Sequence, residues 1–339
     1  MRMIIVTDAW HPQVNGVVRT IERTVQELEK RGHECLVIDP SGFRTIAAPT
    51  YPEIRLALFP YRRLAAMLDA LPQAPTKLHI ATEGPLGWAA RKYCLRHNLP
   101  FSTAYHTKFP EYLAARAPIP TAWTYAMMRR FHARSSSVMV ATPTLEKLLA
   151  DNGFSNLNIW TRGVDTEMFR PREPLPLDLP RPIALYVGRV AIEKNIEAFL
   201  KADFPGSKLV VGNGPALEEL QQRYPDVSFA GARQGEELAQ YYASGDVFAF
   251  PSLTDTFGLV MLEALACGMP VAAYPVTGPL DILKGSDVAV LGEDLSTSLQ
   301  QALTIDRQKC RDFALGYSWA AATDQFEANM PDAVMMGAA

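Results

Sequence analysis

Two cations follow an apolar run of the sequence at a spacing that suits a diphosphate. The run Ile183–Val187 predicts a buried strand, and Gly188 directly after it lets the backbone turn sharply. Arg189 and Lys194 then lie five residues apart on a loop at the carboxyl end of that strand. Arginine offers planar paired donors and lysine a compact charge, and both bind phosphate oxygens. The alternative interpretation is a solvated basic loop that precedes a helix.

A second segment places two acids around the start of a helix. The pattern predicts a helix over residues 258–267, with Gly258 and Leu259 at an N-terminus whose backbone N–H groups bind anions. Asp255 precedes this helix, and Glu263 lies inside it among apolar neighbours. A carboxylate in such surroundings needs a partner, and sugar hydroxyls are suitable donors.

Short apolar runs alternate with helical patterns along the whole chain, and this alternation predicts parallel α/β sheets. Strands are predicted over residues 3–7, 34–38, 78–81, 101–105, 138–142, 183–187, 208–211, 227–230, 247–250 and 271–274. The proline-dense segment 170–180 indicates a linker. We therefore predict two doubly wound Rossmann-like domains, 1–170 and 171–316, that face each other across a cleft. A helix is predicted over 317–330. The C-terminal segment 317–339 that contains it could pack back on the first domain, and the residues beyond Pro331 are expected to be frayed.

The net charge of −3 conceals an asymmetry between the two halves. Residues 1–170 carry 21 Lys and Arg against 14 Asp and Glu, whereas the remainder carries 12 against 22. The excess of basic residues in the first half predicts an anionic partner. The alternative is that the charge asymmetry arose by chance. No motif typical of nucleic-acid binding accompanies the charge, so we expect no nucleic-acid partner.

The two segments around Arg189 and Asp255 together resemble the retaining glycosyltransferases of family 4, which have the GT-B fold of two Rossmann-like domains. That family has an acid, seven residues and a glutamate downstream of a Gly-Arg…Glu-Lys-Asn loop; here the first acid is aspartate. The resemblance implies that Arg189 and Lys194 hold the donor diphosphate, Glu263 the nucleotide ribose and Asp255 the sugar. The implied donor-binding segment also includes Thr256, Phe257, Gly258 and Leu259.

Three strand-end loops of the basic half match the same family. Gly16 would let a diphosphate or sugar approach the helix N-terminus, with an ordinary strand-to-helix turn as the alternative. The resemblance implies that His106 donates a hydrogen bond to the donor sugar and acts in catalysis; a structural histidine is the alternative. Glu83, His106 and Lys108 are the predicted acceptor contacts, and Glu83 could equally cap the following helix.

Two stretches, 54–71 and 119–134, mix aromatic and basic residues in a pattern typical of a membrane interface, and packing inside the domain is the alternative. With no signal peptide, no membrane span and no paired cysteines, we expect a cytoplasmic protein peripheral on the inner face of the cell membrane. The form of the motifs resembles the membrane-lipid branch of the family.

The sequence thus predicts a retaining hexosyltransferase that moves a sugar from a UDP-sugar to a lipid such as diacylglycerol. A GDP-mannose-dependent mannosyltransferase acting on a lipid or polysaccharide precursor is the alternative, followed by a nucleotide-sugar epimerase. We expect neither cofactor nor metal, since Arg189, Lys194 and the helix amides would stabilise the leaving diphosphate. An NAD-dependent oxidoreductase is disfavoured, because Gly212-Asn213-Gly214-Pro215 lacks the third glycine of the dinucleotide motif. A non-catalytic sugar-binding or membrane protein is the last alternative.

Overall fold

The computed structural model describes residues 1–13, 15–48, 54–72, 77–106, 110, 120–255 and 257–332. The chain divides into two compact units. Unit 1 comprises Met1–Thr161 and Trp319–Ala339, and unit 2 comprises Arg162–Ser318. The predicted break at 170/171 is therefore misplaced, since it falls inside unit 2. The proline-dense segment has no helix or strand over 171–180, and the backbone N–H of Leu175 donates to the Ser244 hydroxyl, so this segment packs on unit 2.

Unit 1 contains a parallel six-stranded sheet and a separate two-stranded antiparallel hairpin. The strands are β1 (Arg2–Val6), β2 (Glu34–Ile38), β3 (Thr45–Ala47), β4 (Arg55–Ala57), β5 (Lys77–Ile80), β6 (Ser102–Tyr105), β7 (Ser137–Val140) and β8 (Leu157–Ile159). The sheet has the order β2-β1-β5-β6-β7-β8, and β3 pairs with β4. The helices described are α1 (Gly16–Lys30), α2 (Tyr61–Asp69), α3 (Pro85–Arg96), α4 (Thr121–His132) and α5 (Pro143–Asp151).

Unit 2 repeats this plan with a second parallel sheet. Its strands are β9 (Ile183–Val187), β10 (Ser207–Val211), β11 (Ser228–Gly231), β12 (Val247–Phe250), β13 (Val271–Ala273) and β14 (Ala289–Leu291). They lie in the order β11-β10-β9-β12-β13-β14. Its helices are α6 (Ile196–Lys201), α7 (Leu217–Arg223), α8 (Gly235–Ser244), α9 (Leu259–Ala266), α10 (Thr277–Leu283), α11 (Leu295–Ala302) and α12 (Arg307–Leu315).

The central strands are buried along their whole length, which is why they read as continuous apolar runs. Every residue of β9 and of β12 is buried, as expected for parallel strands covered on both faces. The strand order reverses between β1 and β5 in unit 1 and between β9 and β12 in unit 2. Ligands of doubly wound sheets bind at the carboxyl ends of the strands beside such a reversal. The prediction of two doubly wound α/β sheets is confirmed.

The last helix, α13 (Trp319–Asn329), belongs to unit 1 and packs against α1. Phe326 is buried in the same cluster as Met3 and Ile5 of β1. The buried Lys77 ammonium donates to the Met330 carbonyl at 2.8 Å, beyond the end of the helix. Apolar burial and a charge at the helix C-terminus thus both stabilise the return of the chain to unit 1.

Candidate functional site

The loop after β9 carries Arg189 and is held close to its neighbour after β10. The Val190 N–H donates to the Asn213 carbonyl at 2.9 Å, and the Tyr186 hydroxyl donates to the Arg189 carbonyl at 2.7 Å. A Cβ on Gly212 would lie 1.8 Å from the Gly188 carbonyl oxygen. Position 212 therefore requires glycine if the two loops are to lie this close together. Their close contact fixes the backbone conformation at Arg189.

Lys194 lies at the end of a short 3-10 turn, Ile192–Lys194, and is paired with an acid. Its ammonium contacts the Asp255 carboxylate, and both side chains are about four-fifths buried. The next residue, Asn195, has the left-handed backbone that asparagine tolerates, and its amide donates to the Pro251 carbonyl at 3.1 Å. Lys194, the residue predicted to bind the diphosphate, is therefore in direct contact with Asp255, the residue predicted to bind the sugar. Their separation in sequence does not indicate this contact.

The helix α9 begins one residue later than predicted, at Leu259, with Gly258 as its N-cap. Gly258 has φ +88°, and a Cβ there would lie 2.9 Å from Phe250 and Met261 atoms, so this position requires glycine. As a glycine, the N-cap residue has no side chain that could accept from the first N–H groups of the helix. Phe257 is buried, and Thr256 lies outside the described residues. The N–H groups at this N-terminus suit an anion.

Glu263 is buried in α9, at 6% exposure, and one of its partners is a residue that the sequence interpretation missed. The Tyr242 hydroxyl donates to Glu263 Oε2 at 2.7 Å. Tyr242 lies on α8, 21 residues away, and is fully buried. A tyrosine at an inward-facing position of an amphipathic helix was the available signal, but it does not reveal which acid the hydroxyl meets.

Asp8, just after β1, is a second residue that the sequence interpretation missed. Its carboxylate accepts from the backbone N–H groups of Leu86 at 2.9 Å and Gly87 at 3.1 Å, and from the Thr82 hydroxyl at 3.0 Å. Burial raises the pKa of the Asp8 carboxyl, although these hydrogen bonds oppose the rise. Asp8 therefore caps the N-terminus of α3, and the interpretation of Glu83 as its cap is wrong.

Glu83 instead contacts a buried histidine. Its Oε1 lies 3.2 Å from His132 Nε2, while His132 Nδ1 lies 2.9 Å from the Thr103 hydroxyl. The Thr103 hydroxyl also lies 3.2 Å from the Ser135 hydroxyl, which donates to the His132 carbonyl at 2.8 Å. The imidazole of His132 is therefore held between the Glu83 carboxylate and a pair of hydroxyl groups.

The remaining predicted residues of unit 1 have simpler surroundings. Gly16 is exposed at the first position of α1, where the Asn15 side chain accepts from the N–H groups of Val17 and Val18. A Cβ on Gly16 would meet nothing within 4 Å, so the fold of unit 1 does not require glycine there. The His106 ring, after β6, lies edge-on to Trp160 at 5.7 Å between centroids. Lys108 lies outside the described residues.

The predicted site residues thus form two groups, one in each unit. Arg189 and Lys194 follow β9, while Asp255, Gly258 and Leu259 follow β12, on the two sides of the strand reversal of unit 2. Glu83 and His106 follow β5 and β6 of unit 1. In unit 2, two cations, a helix N-terminus and a buried carboxylate together suit a nucleoside diphosphate carrying a sugar.

Comparison with known proteins identifies the family. The model described as Glycosyltransferase Family 4 matches residues 14–168, and that described as Glycosyl transferases group 1 matches residues 181–304. The chain is 31% identical to the GDP-mannose-dependent alpha-mannosyltransferase of Mycobacterium tuberculosis, over 96% of this chain and 95% of that protein. This chain belongs to glycosyltransferase family 4. It is therefore an enzyme that transfers a hexose, as the motifs predicted.

The glycosyltransferase is similar to further proteins over most of its length. It is 28% identical to the alpha-monoglucosyldiacylglycerol synthase of Streptococcus pneumoniae, over 81% of this chain and 71% of that one. Among solved structures, sucrose-phosphate synthase from Thermosynechococcus elongatus matches with a TM-score of 0.76 at 22% identity, over 97% of this chain and 98% of that one. The predicted GT-B fold is confirmed.

Because the chain belongs to this family, the three alternative interpretations of its sequence are excluded: an oxidoreductase, an epimerase and a non-catalytic protein. The glycines of the segment 212–215 also have a different purpose from dinucleotide binding, because Gly212 and Gly214 each lie against a carbonyl of the loop after β9. Across the described part of the chain, no helix has both the length and the apolar character needed to span a bilayer.

Proposed function

We propose that the glycosyltransferase moves mannose from GDP-mannose to a lipid acceptor with retention of the anomeric configuration. The observation that carries the donor class is the convergence of Arg189, Lys194 and the α9 N-terminus beside the strand reversal of unit 2. The choice of GDP-mannose is supported by the match to the mycobacterial mannosyltransferase along almost the entire length of both chains. A UDP-sugar, our expectation from the sequence, is the second candidate and is supported by the similarity to the diacylglycerol-type synthase.

In the proposed reaction, the bond between the anomeric carbon and the diphosphate oxygen breaks while the acceptor oxygen bonds to that carbon. The acceptor proton passes to the leaving diphosphate, so no protein base is needed. Arg189, Lys194 and the α9 amides would stabilise the charge that develops on the diphosphate. Glu263 would bind the ribose and Asp255 the transferred sugar. Glu83, His106, Lys108 and Gly16 keep the roles inferred from the resemblance, and a reaction without a bound metal or cofactor stays a prediction.

Thermal unfolding with a panel of sugar nucleotides tests the donor. A ligand at 100 times its Kd stabilises a protein by about 2.7 kcal/mol, so the true donor should raise Tm clearly more than its competitors. We expect GDP-mannose to give the largest shift and UDP-glucose a smaller one, with GDP and UDP separating the contribution of the base from that of the sugar. A larger shift with a UDP-sugar would overturn the choice of GDP-mannose and leave the glycosyltransferase activity standing.

The lipid acceptor is supported by exposed apolar and basic side chains that unit 1 carries on or near the helices α2, α3 and α4. Phe59, which precedes α2, is 94% exposed, and Trp123 on α4 is 74% exposed. The neighbouring helices are connected: Arg96 on α3 donates to the Tyr61 hydroxyl of α2 at 2.9 Å, and Arg91 on α3 donates to the Phe131 carbonyl of α4 at 2.8 Å. We call this surface the basic face. Its exposed members are Ile46, Leu58, Phe59, Arg62, Arg63, Lys92, Arg96, Trp123, Met127 and Arg130.

Charge on the basic face complements an anionic bilayer. Helices α2, α3 and α4 together contain one acidic residue, Asp69. Its carboxylate accepts a hydrogen bond from the Tyr93 hydroxyl at 2.6 Å. Exposed aromatic residues together with arginines are typical of elements that bind a membrane surface. We therefore propose that the basic face contacts the anionic lipid surface in which the acceptor lies, at the inner face of the cell membrane.

Replacing Arg62 and Arg63 with glutamine should weaken binding to anionic vesicles. Each cation near an anionic membrane contributes about 1 kcal/mol, so we expect about 30-fold weaker partitioning for the pair. Flotation with phosphatidylglycerol-containing vesicles and with pure phosphatidylcholine vesicles measures the effect. Glutamine at Lys201 and Lys284, two exposed cations of unit 2, is the control with the same charge change. If the wild-type enzyme binds neither vesicle, the membrane proposal is wrong, and a polysaccharide precursor becomes the better acceptor.

A further inference from the structure

Tyr242 of α8 is buried against Glu263 of α9. Its hydroxyl donates to Glu263 Oε2 at 2.7 Å, and neither the tyrosine, at 0%, nor the acid, at 6%, has appreciable exposure. A buried carboxylate is stable only with hydrogen-bond donors around it. A carboxylate has about four acceptor positions, and the Tyr242 hydroxyl occupies one of them, on Oε2.

The tyrosine ring is held on two sides. Phe169 lies perpendicular to it at 5.5 Å between centroids, and Phe248 of β12 lies at 5.9 Å. The Phe169 segment is itself tied to α9, because Arg311 donates to the Phe169 carbonyl at 2.8 Å and to the Ala266 carbonyl at 2.9 Å. One guanidinium thus connects the helix that carries Glu263 to the phenylalanine that packs on the Tyr242 ring.

The terminal torsion of a glutamate is broad, so its carboxylate rotates unless one oxygen is fixed. From this geometry we infer that Tyr242 is a positioning residue for ribose recognition. By fixing Oε2, it holds the plane of the Glu263 carboxylate so that the acid accepts hydrogen bonds from the ribose hydroxyls of the donor. The inference rests on the proposed ribose-binding role of Glu263 and adds the residue that makes this role specific.

Nucleoside diphosphates that differ in one hydroxyl test the inference directly. The probes are GDP, 2′-deoxy-GDP and 3′-deoxy-GDP, together with the corresponding UDP series, and the measurement is Kd by calorimetry. We expect the wild-type enzyme to prefer the ribonucleotide over at least one deoxy analogue by tenfold or more. In Tyr242→Phe this preference should fall to about twofold, because hydrogen bonds to charged groups contribute roughly a 10- to 100-fold effect.

A structural role alone would not produce this result, since general loosening weakens all the nucleotides equally. The deoxy analogue therefore serves as an internal folding control: Tyr242→Phe should bind it with nearly wild-type affinity. Tyr241→Phe is the matched variant, because it makes the same change one residue earlier, where the ring lies 5.8 Å from the Arg233 guanidinium. We expect Tyr241→Phe to keep the preference for the ribonucleotide, and donor KM to rise more than kcat falls in Tyr242→Phe.

Glu263→Gln separates the two ways in which the inference can fail. If Glu263→Gln removes the ribose preference and Tyr242→Phe retains it, Tyr242 has no positioning role, and the ribose-binding role of Glu263 stands. If both variants keep the wild-type preference, the ribose-binding role is wrong as well. A uniform loss of affinity for all the nucleotides in Tyr242→Phe would also overturn the inference, because it would assign the tyrosine to packing.

Discussion

Replacing Lys194 with alanine is expected to lower kcat about a hundredfold. Removal of one preorganised donor to a developing anion typically costs about 3 kcal/mol in the transition state. The loss should be felt in kcat, because the diphosphate charge grows as the bond to the sugar breaks. Steady-state transfer of labelled sugar at saturating donor measures the effect.

The ion pair with Asp255 makes this prediction more specific. In Lys194→Ala the Asp255 carboxylate loses its counterion beside the proposed diphosphate position, so donor KM should rise as well. Lys194→Arg keeps the charge and should recover part of the rate. Lys201→Ala is the control, because this lysine is 65% exposed and pairs with Glu197 on its own helix. A wild-type rate for Lys194→Ala would remove the diphosphate role.

Replacing Gly212 with alanine is expected to destabilise unit 2 by about 3 kcal/mol. The added Cβ would lie 1.8 Å from the Gly188 carbonyl oxygen, and a backbone atom cannot rotate away as a side chain can. Overpacking of this kind costs typically 1–3 kcal/mol, and the backbone contact places this position at the upper end of the range. Displacement of the loop should also weaken donor binding through Arg189.

Urea unfolding followed by two signals locates the damage. All five tryptophans lie in unit 1, so their emission reports that unit, whereas far-ultraviolet circular dichroism reports both. In Gly212→Ala, we expect the circular dichroism transition to begin at lower urea than the tryptophan transition. Gly42→Ala, where a Cβ meets nothing within 4 Å, should leave both transitions in place. Unchanged transitions in Gly212→Ala would contradict the close approach of the two loops.

Local pattern was sufficient for most of the architecture. Central strands of parallel sheets are buried on both faces, so the apolar runs predict the bounds of β9 and β12 correctly. The bounds of β2 are also predicted correctly, although it is an edge strand and only Ile38 of its five residues is buried. Short edge elements were missed, including β8, β14 and the β3–β4 hairpin, because three-residue strands leave little periodicity to detect. The stretch 54–71, which forms a single aromatic and basic pattern in the sequence, contains the strand β4 and then α2.

The contacts between site residues were beyond local pattern. Asp8 meets Leu86, 78 residues away, and Lys194 meets Asp255, 61 residues away. In parallel sheets, neighbouring strand ends come from distant parts of the chain, so the identity of the partner depends on strand order. The contact of Glu83 with His132, 49 residues away, is of the same long-range kind, and the sequence predicts only an acceptor contact or a helix cap for this glutamate.

Arg189, Lys194 and the segment from Asp255 to Glu263 could be singled out from the sequence by itself, along with the α/β class and the glycosyltransferase family. Residue type and position at strand ends determine these features locally. Only the tertiary structure decided that Asp255 pairs with Lys194, that Tyr242 fixes Glu263 and that Asp8 caps α3. Each of these depends on a side chain delivered by another element, and the free energy of such a contact arises from burial that no local segment can provide.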